Sequence, residues 1–184
     1  MNAWDAEGLI ISDVMSFESA PPFSNPDGSP RAPSPARLKR WTIDLNDESN
    51  QVREALLDDT PGEFPRFDER RSGLPYLHGW IAAQREHPGS PWFDRLAHLD
   101  LERGGREIWE APQGDAVAEP VFVPRSPLAE EGDGWITTVI YRGRENTSEL
   151  AIFEALDLAR GPIATARVPR RVPFGFHGNW RPRP

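Results

Sequence analysis

Four histidines (His78, His87, His98 and His177) and a scatter of glutamates hold most of the chemistry open to this chain. A neutral imidazole can ligate a metal or accept a proton, and a carboxylate behind it fixes its tautomer by accepting a ring proton. The 184 residues include no cysteine, so disulfides and thiolate metal sites are excluded. No two histidines stand one helical turn apart, so spacing alone gives no preformed ligand pair. His87, in the polar turn "REHPGS", reads as a solvated loop residue. His78 in "GLPYLHGW" and His98 in "LAHLDL" read as strand-surface or strand-edge side chains.

His177 has a different context, "VPFGFHG" near the end of the chain. Pro173, Gly175 and Gly178 restrict or specialise the backbone, and Phe174 and Phe176 offer an apolar wall. Such a wall disfavours the imidazolium and favours the neutral ring that a metal ligand must be. On residue types alone, a buried, hydrogen-bonded structural histidine is still the stronger reading.

The elements that must position these residues are short strands. Twenty prolines and 15 glycines favour strands and turns over long helices. "GLIISDVMSF" is apolar and branched, and "LKRWTIDL" alternates, with Trp41, Ile43 and Leu45 on one face. "EPVFVP" and "DGWITTVIY" follow, and "SELAIFEALDL" pairs with the latter across the turn "RGRENT". "DESNQVREALLDD" is read as a place for a helical turn, and the proline-rich segment 20–37 as a surface loop. The formal net charge of −8 argues against nucleic acid, which wants a clustered positive surface. No apolar run is long enough to span a membrane, so a soluble, cytoplasmic protein is expected.

One pattern recurs. "WTIDL", "AHLDL" and "EALDL" place Asp44, Asp100 and Asp157 at intervals of 56 and 57 residues, each followed by a polar turn. A strand, an Asp-Leu exit and a turn at that interval fit the outer hairpins of successive propeller blades. Three such units do not close a ring, so the chain reads as an arc of a larger one. Its opening, "MNAWDAEGLIISDV", enters a strand pattern at once, as an internal methionine would.

Three motifs together resemble the carotenoid cleavage oxygenases: "GEFPRFDERRSGLPY" at 62–76, "AEPVFVPR" at 118–125 followed by "EEGDGWITTVIY", and "VPFGFHG" at 172–178. "NAWDAEG" is similar to the segment that follows one of that family's histidine ligands. The resemblance implies an all-β fold, here roughly the last three blades of a seven-bladed β-propeller spanning residues 1–184. It implies an axial Fe(II) held by four histidines, three of them oriented by glutamates. His177 then matches the last iron ligand and Glu119 the glutamate behind it. Glu63 matches another such glutamate, whose histidine would precede Asn2 and so lie outside this sequence. The implied reaction is cleavage of a carbon–carbon double bond in a hydrophobic polyene or stilbene by O2, with a peripheral membrane contact open to the full-length protein. One ligand of four makes the chain by itself inactive on this reading. The rivals are a propeller-type scaffold without a metal and, on the seven tryptophans, a carbohydrate-binding domain. Without the resemblance, Glu63 beside Pro65 and Glu119 before Pro120 read as a strand end and an exposed strand entry.

Overall fold

The computed structural model of the chain describes residues 1–18, 27–29, 35–49, 51–85 and 93–182. His87 and most of the proline-rich segment 20–37 lie outside them. Among the described residues, thirteen strands form three antiparallel sheets in chain order. The first holds β1 (Ala3–Ala6), β2 (Leu9–Ser16), β3 (Arg37–Asp44) and β4 (Val52–Asp58). The second holds β5 (Gly62–Phe67), β6 (His78–Ala83), β7 (Arg95–Asp100) and β8 (Gly105–Glu110). The third holds β9 (Ala116–Val117) and β10 (Val121–Pro124) along one edge of β11 (Gly134–Arg142), then β12 (Thr147–Glu154) and β13 (Ala164–Val168). Sequential four-strand meanders packed face to face are the arrangement of propeller blades.

Period-two alternation explains the packing. On β6 and β7, Trp80, Ala82 and Leu96 face the third sheet, where they meet Phe122, Ile136, Ile140, Phe153 and Leu158. The alternate residues Ile81, Ala83, Ala97 and Leu99 face the first sheet and pack with Leu38, Met15 and Leu57. The second sheet is therefore covered on both faces, and β6 reads as a nearly continuous apolar run. Polar ties reinforce both joints. The Asn2 amide donates to the carbonyls of Arg71 and Leu74, and Arg70 donates to those of Pro127 and Ala129.

The first sheet shows where alternation alone misleads. The face carrying Trp41, Ile43 and Leu45 turns away from the second sheet, leaving Ile43 37% and Leu45 63% exposed. Ile10, Val52 and Leu56 are exposed too, and Ile10 and Val52 flank Ile43 in register. The core residue of β3 is instead Leu38. The segment read as a helical turn is β4. Its backbone completes the ladder of β3, and that pairing outweighs the local helix preference of "REALLDD".

Each Asp-Leu segment lies at or just beyond the end of the next-to-last strand of its sheet, but only two are equivalent in detail. Asp44 and Asp100 end β3 and β7, and each carboxylate accepts a backbone N–H two residues on. Asp157 lies three residues beyond the end of β12, at the start of a 3-10 turn over Leu158–Arg160, and caps it with no side-chain bond. The expected hairpin across "RGRENT" joins β11 and β12.

Gly134 starts β11 where a side chain has no room: a Cβ there would lie 2.3 Å from the Val123 carbonyl oxygen and 2.9 Å from the Phe122 ring. Gly134→Ala is expected to part β10 from β11 and destabilise the chain by about 1–3 kcal/mol, read as a fall in the urea midpoint. An unchanged midpoint would show that the pairing yields at no cost.

Candidate functional site

Two sheet-edge strands carry the site, and each is interrupted by a proline-marked bulge. In the third sheet Val117 sits opposite Ile140 and Val121 opposite Thr137, so four steps on one strand face three on the other. The extra residue falls within Ala118–Pro120, where Pro120 has no N–H to pair. The Ala118 N–H still donates to Val139, and the Thr138 hydroxyl donates to the Ala118 carbonyl. Glu119, between these fixed points, is thus turned out of the ladder. In the second sheet Glu63 faces Ala82 and Arg66 faces Trp80, again one residue in excess, with Phe64 at φ +52° followed by Pro65. A positive φ at an aromatic residue is strained, and here it swings Phe64 against Phe93 and toward His177.

The chain after β13 brings His177 to this point. Its Nδ1 lies 3.2 Å from Glu119 Oε1, and the Gly178 N–H donates to Glu119 Oε2 at 2.6 Å. The Glu119 side chain is 5% exposed while that of His177 is 75% exposed. A buried carboxylate requires donors, and here it has a ring nitrogen, an amide and a guanidinium, Arg66 Nη1 at 3.3 Å. With Nδ1 engaged by the carboxylate, Nε2 is the ring nitrogen left for a ligand.

The structure departs from expectation around the ring. Phe174 packs against Tyr141 and Phe176 is 78% exposed, so neither walls the imidazole. Its aromatic neighbour is Phe64, edge to face with ring centroids 5.7 Å apart. Glu63 does not join the cluster. It is half-buried, and its side chain has no hydrogen bond or ion pair among the described residues. Burial pushes its carboxyl above the usual range. Arg66 and Phe64 complete the site without having been picked out as site residues, although both lie in the "GEFPRF" motif. The site partners they meet, His177 for Phe64 and Glu119 and Gly178 for Arg66, are more than fifty residues away, so no local pattern marks them.

His78 and His98 meet elsewhere, Nδ1 to Nε2 at 3.1 Å, beside Trp80. Among the described residues no three His, Cys, Asp or Glu side chains converge as a metal site. His177 therefore fits an imidazole-bound metal as one oriented ligand, and the described residues do not complete the set.

This chain belongs to the retinal pigment epithelial membrane protein family, the carotenoid oxygenases, whose model matches residues 1–182. It is 36% identical over 197 residues to an isoeugenol monooxygenase of Pseudomonas nitroreducens, covering 100% of this chain and 41% of that protein. The crystal structure of a lignostilbene dioxygenase from Pseudomonas brassicacearum superposes with a TM-score of 0.85 at 35% identity, over 98% of this chain and 40% of that one. A cobalt-substituted Synechocystis apocarotenoid oxygenase gives 0.86 at 30% identity, over 98% and 38%. The chain thus spans about 40% of the length of the relatives it matches.

Proposed function

We propose that this chain is the C-terminal part of an Fe(II)-dependent dioxygenase that cleaves a carbon–carbon double bond of a stilbene-, carotenoid- or apocarotenoid-type substrate with O2. The observation that carries the reading is the His177–Glu119 pair, a carboxylate on Nδ1 leaving Nε2 as the ligand nitrogen. When bound, iron held by neutral imidazoles leaves coordination positions where O2 and an electron-rich double bond can react to give two carbonyl products. The chain's own residues orient and exclude. Glu119 fixes the His177 tautomer, Phe64 braces one edge of the ring, and Glu63 waits at the neighbouring bulge for a histidine from outside these residues. The half-buried, partnerless Glu63 supports that last role. The complete ring would have seven blades, and the open apolar face of the first sheet is where a preceding blade would pack.

In the full-length protein, Glu119→Gln is expected to weaken binding of Fe(II), or of Co(II) used as a probe, by about 10 to 100-fold. His177→Ala should abolish stoichiometric metal. Metal content and cleavage of a stilbene, isoeugenol and an apocarotenoid, measured in parallel, test the reading. Full metal occupancy and activity in both variants would overturn it.

The 184-residue chain alone should retain no stoichiometric iron and cleave none of these substrates, because one monodentate imidazole has no chelate partners. Tight, stoichiometric iron in the isolated monomer would remove both expectations.

A further inference from the structure

We propose that Arg66 is the positioning residue of the site: it locks the Glu119 carboxylate and the Gly178 peptide together, and so sets the direction of the His177 ring. The inference deepens the reading of His177 as a metal ligand and rests on it for its functional meaning.

The His177 side chain is 75% exposed, so packing does little to hold it. Beyond the edge contact with Phe64, its orientation rests on the Glu119 carboxylate and the path of the tail at the next residue. Both are gripped by one guanidinium. Arg66 Nη1 donates to the Gly178 carbonyl at 3.1 Å and lies 3.3 Å from Glu119 Oε1. Its Nη2 is paired with Glu69. The two peptide units flanking the Gly178 Cα are consequently each held, the N–H on one side by Glu119 and the C=O on the other by Arg66. Three chain segments meet there: β5 of the second sheet, the bulge of the third, and the tail.

An ordinary surface ion pair would not explain this arrangement. Arg66 is only 15% exposed, and its planar fork spans partners that lie far apart in sequence. Lysine, a single point charge, could keep one of these contacts but not all of them. Glu119 without Arg66 would keep two donors, both on a tail whose own anchorage at Gly178 is then halved. The bulge geometry supplies the reach, because the extra residue between Glu63 and Arg66 resets the face on which Arg66 emerges. The same motif that offers Glu63 therefore also delivers the arginine that braces Glu119.

The test uses the metal-free 184-residue chain, labelled for NMR, with hydrogen exchange at Gly178 and the tautomer of His177 as readouts. Arg66→Gln should raise exchange at the Gly178 amide by about ten-fold or more and weaken the preference for a proton on His177 Nδ1. Arg66→Lys should restore part of each. Glu69→Gln, which loosens the exposed end of the clasp, should shift both in the same direction by less, and it decides the matter if Arg66→Gln does not fold. A purely structural arginine would instead raise exchange along β5 and β10 with no selectivity for Gly178. Unchanged Gly178 exchange and an unchanged tautomer in the folded variants, or an unselective rise, would overturn the proposal. Because no metal is present, this result is independent of whether Glu119→Gln impairs metal binding in the full-length protein.

Discussion

Asp13→Ala is expected to destabilise the chain by about 3–5 kcal/mol, a large share of the 5–15 kcal/mol that holds a typical domain together. Asp13 is fully buried, and its two oxygens take the Arg40 Nε and Nη2 at 2.8 Å each. The Tyr76 hydroxyl donates to the same carboxylate at 2.8 Å. Arg40 lies over the Trp4 ring, which meets Tyr76 edge to face. The cluster joins strands β2 and β3 to the loop that enters β6, so it ties the first sheet to the second. Burial and the neighbouring carboxylate push the Tyr76 phenol far above its usual range, which keeps it a donor at every working pH. Alanine at position 13 leaves a half-buried guanidinium and a buried hydroxyl without their acceptor. Tyr76→Phe removes a partner but strands no charge, and should cost about 1–2 kcal/mol. Urea unfolding of both single variants and the double variant checks this. A loss below about 1 kcal/mol for Asp13→Ala would mean that water replaces the carboxylate freely.

Acidification from pH 6.5 to 4 should cost up to about 3 kcal/mol of stability through His98 alone. His98 is buried, stacked on Trp80, and its Nδ1 has no hydrogen-bond partner among the described residues. Burial first, and the adjacent His78 second, push its pKa down to about 4, against a smaller opposing pull from Asp100. The unfolded chain takes up this proton near 6.5, whereas the folded chain resists it until about 4. Protons therefore favour the unfolded state throughout that window, and the loss levels off below it. Glu63 works the other way, since its raised carboxyl is relieved on protonation, and it partly masks the slope in the parent chain. The comparison that isolates His98 is His98→Gln, whose stability should fall less across pH 6.5 to 4. Identical pH profiles for parent and variant would show that the folded ring accepts its proton without penalty.

Much of the fold is legible in the sequence because it is local. The strand character of β2, β3 and β11, the hairpin across "RGRENT" and the carboxylate turns after Asp44 and Asp100 each follow from a few adjacent residues. The motifs around Glu119 and His177 are local as well, and the resemblance they carry places those two residues at one site before any coordinates are considered. Pro65 and Pro120 read locally as a strand end and a strand entry, and only the strand register shows that each marks a bulge.

What tertiary structure alone decided is which of two equivalent options each segment takes. A period of two defines two faces of β3 but cannot say which will meet a neighbour, and so Leu38 is core while Ile43 and Leu45 stand open. Segment 52–58 has residues that suit a helix, yet the unpaired edge of β3 recruits it as a strand. Arg66 looks like any charged strand residue until the bulge, the third sheet and the tail converge on its guanidinium. Glu63 and Glu119 sit in similar proline-marked contexts, but the Glu119 carboxylate gains an imidazole, an amide N–H and an ion-paired guanidinium, and the Glu63 carboxylate no partner among the described residues. The difference lies in what packs opposite each carboxylate, which no local pattern can encode.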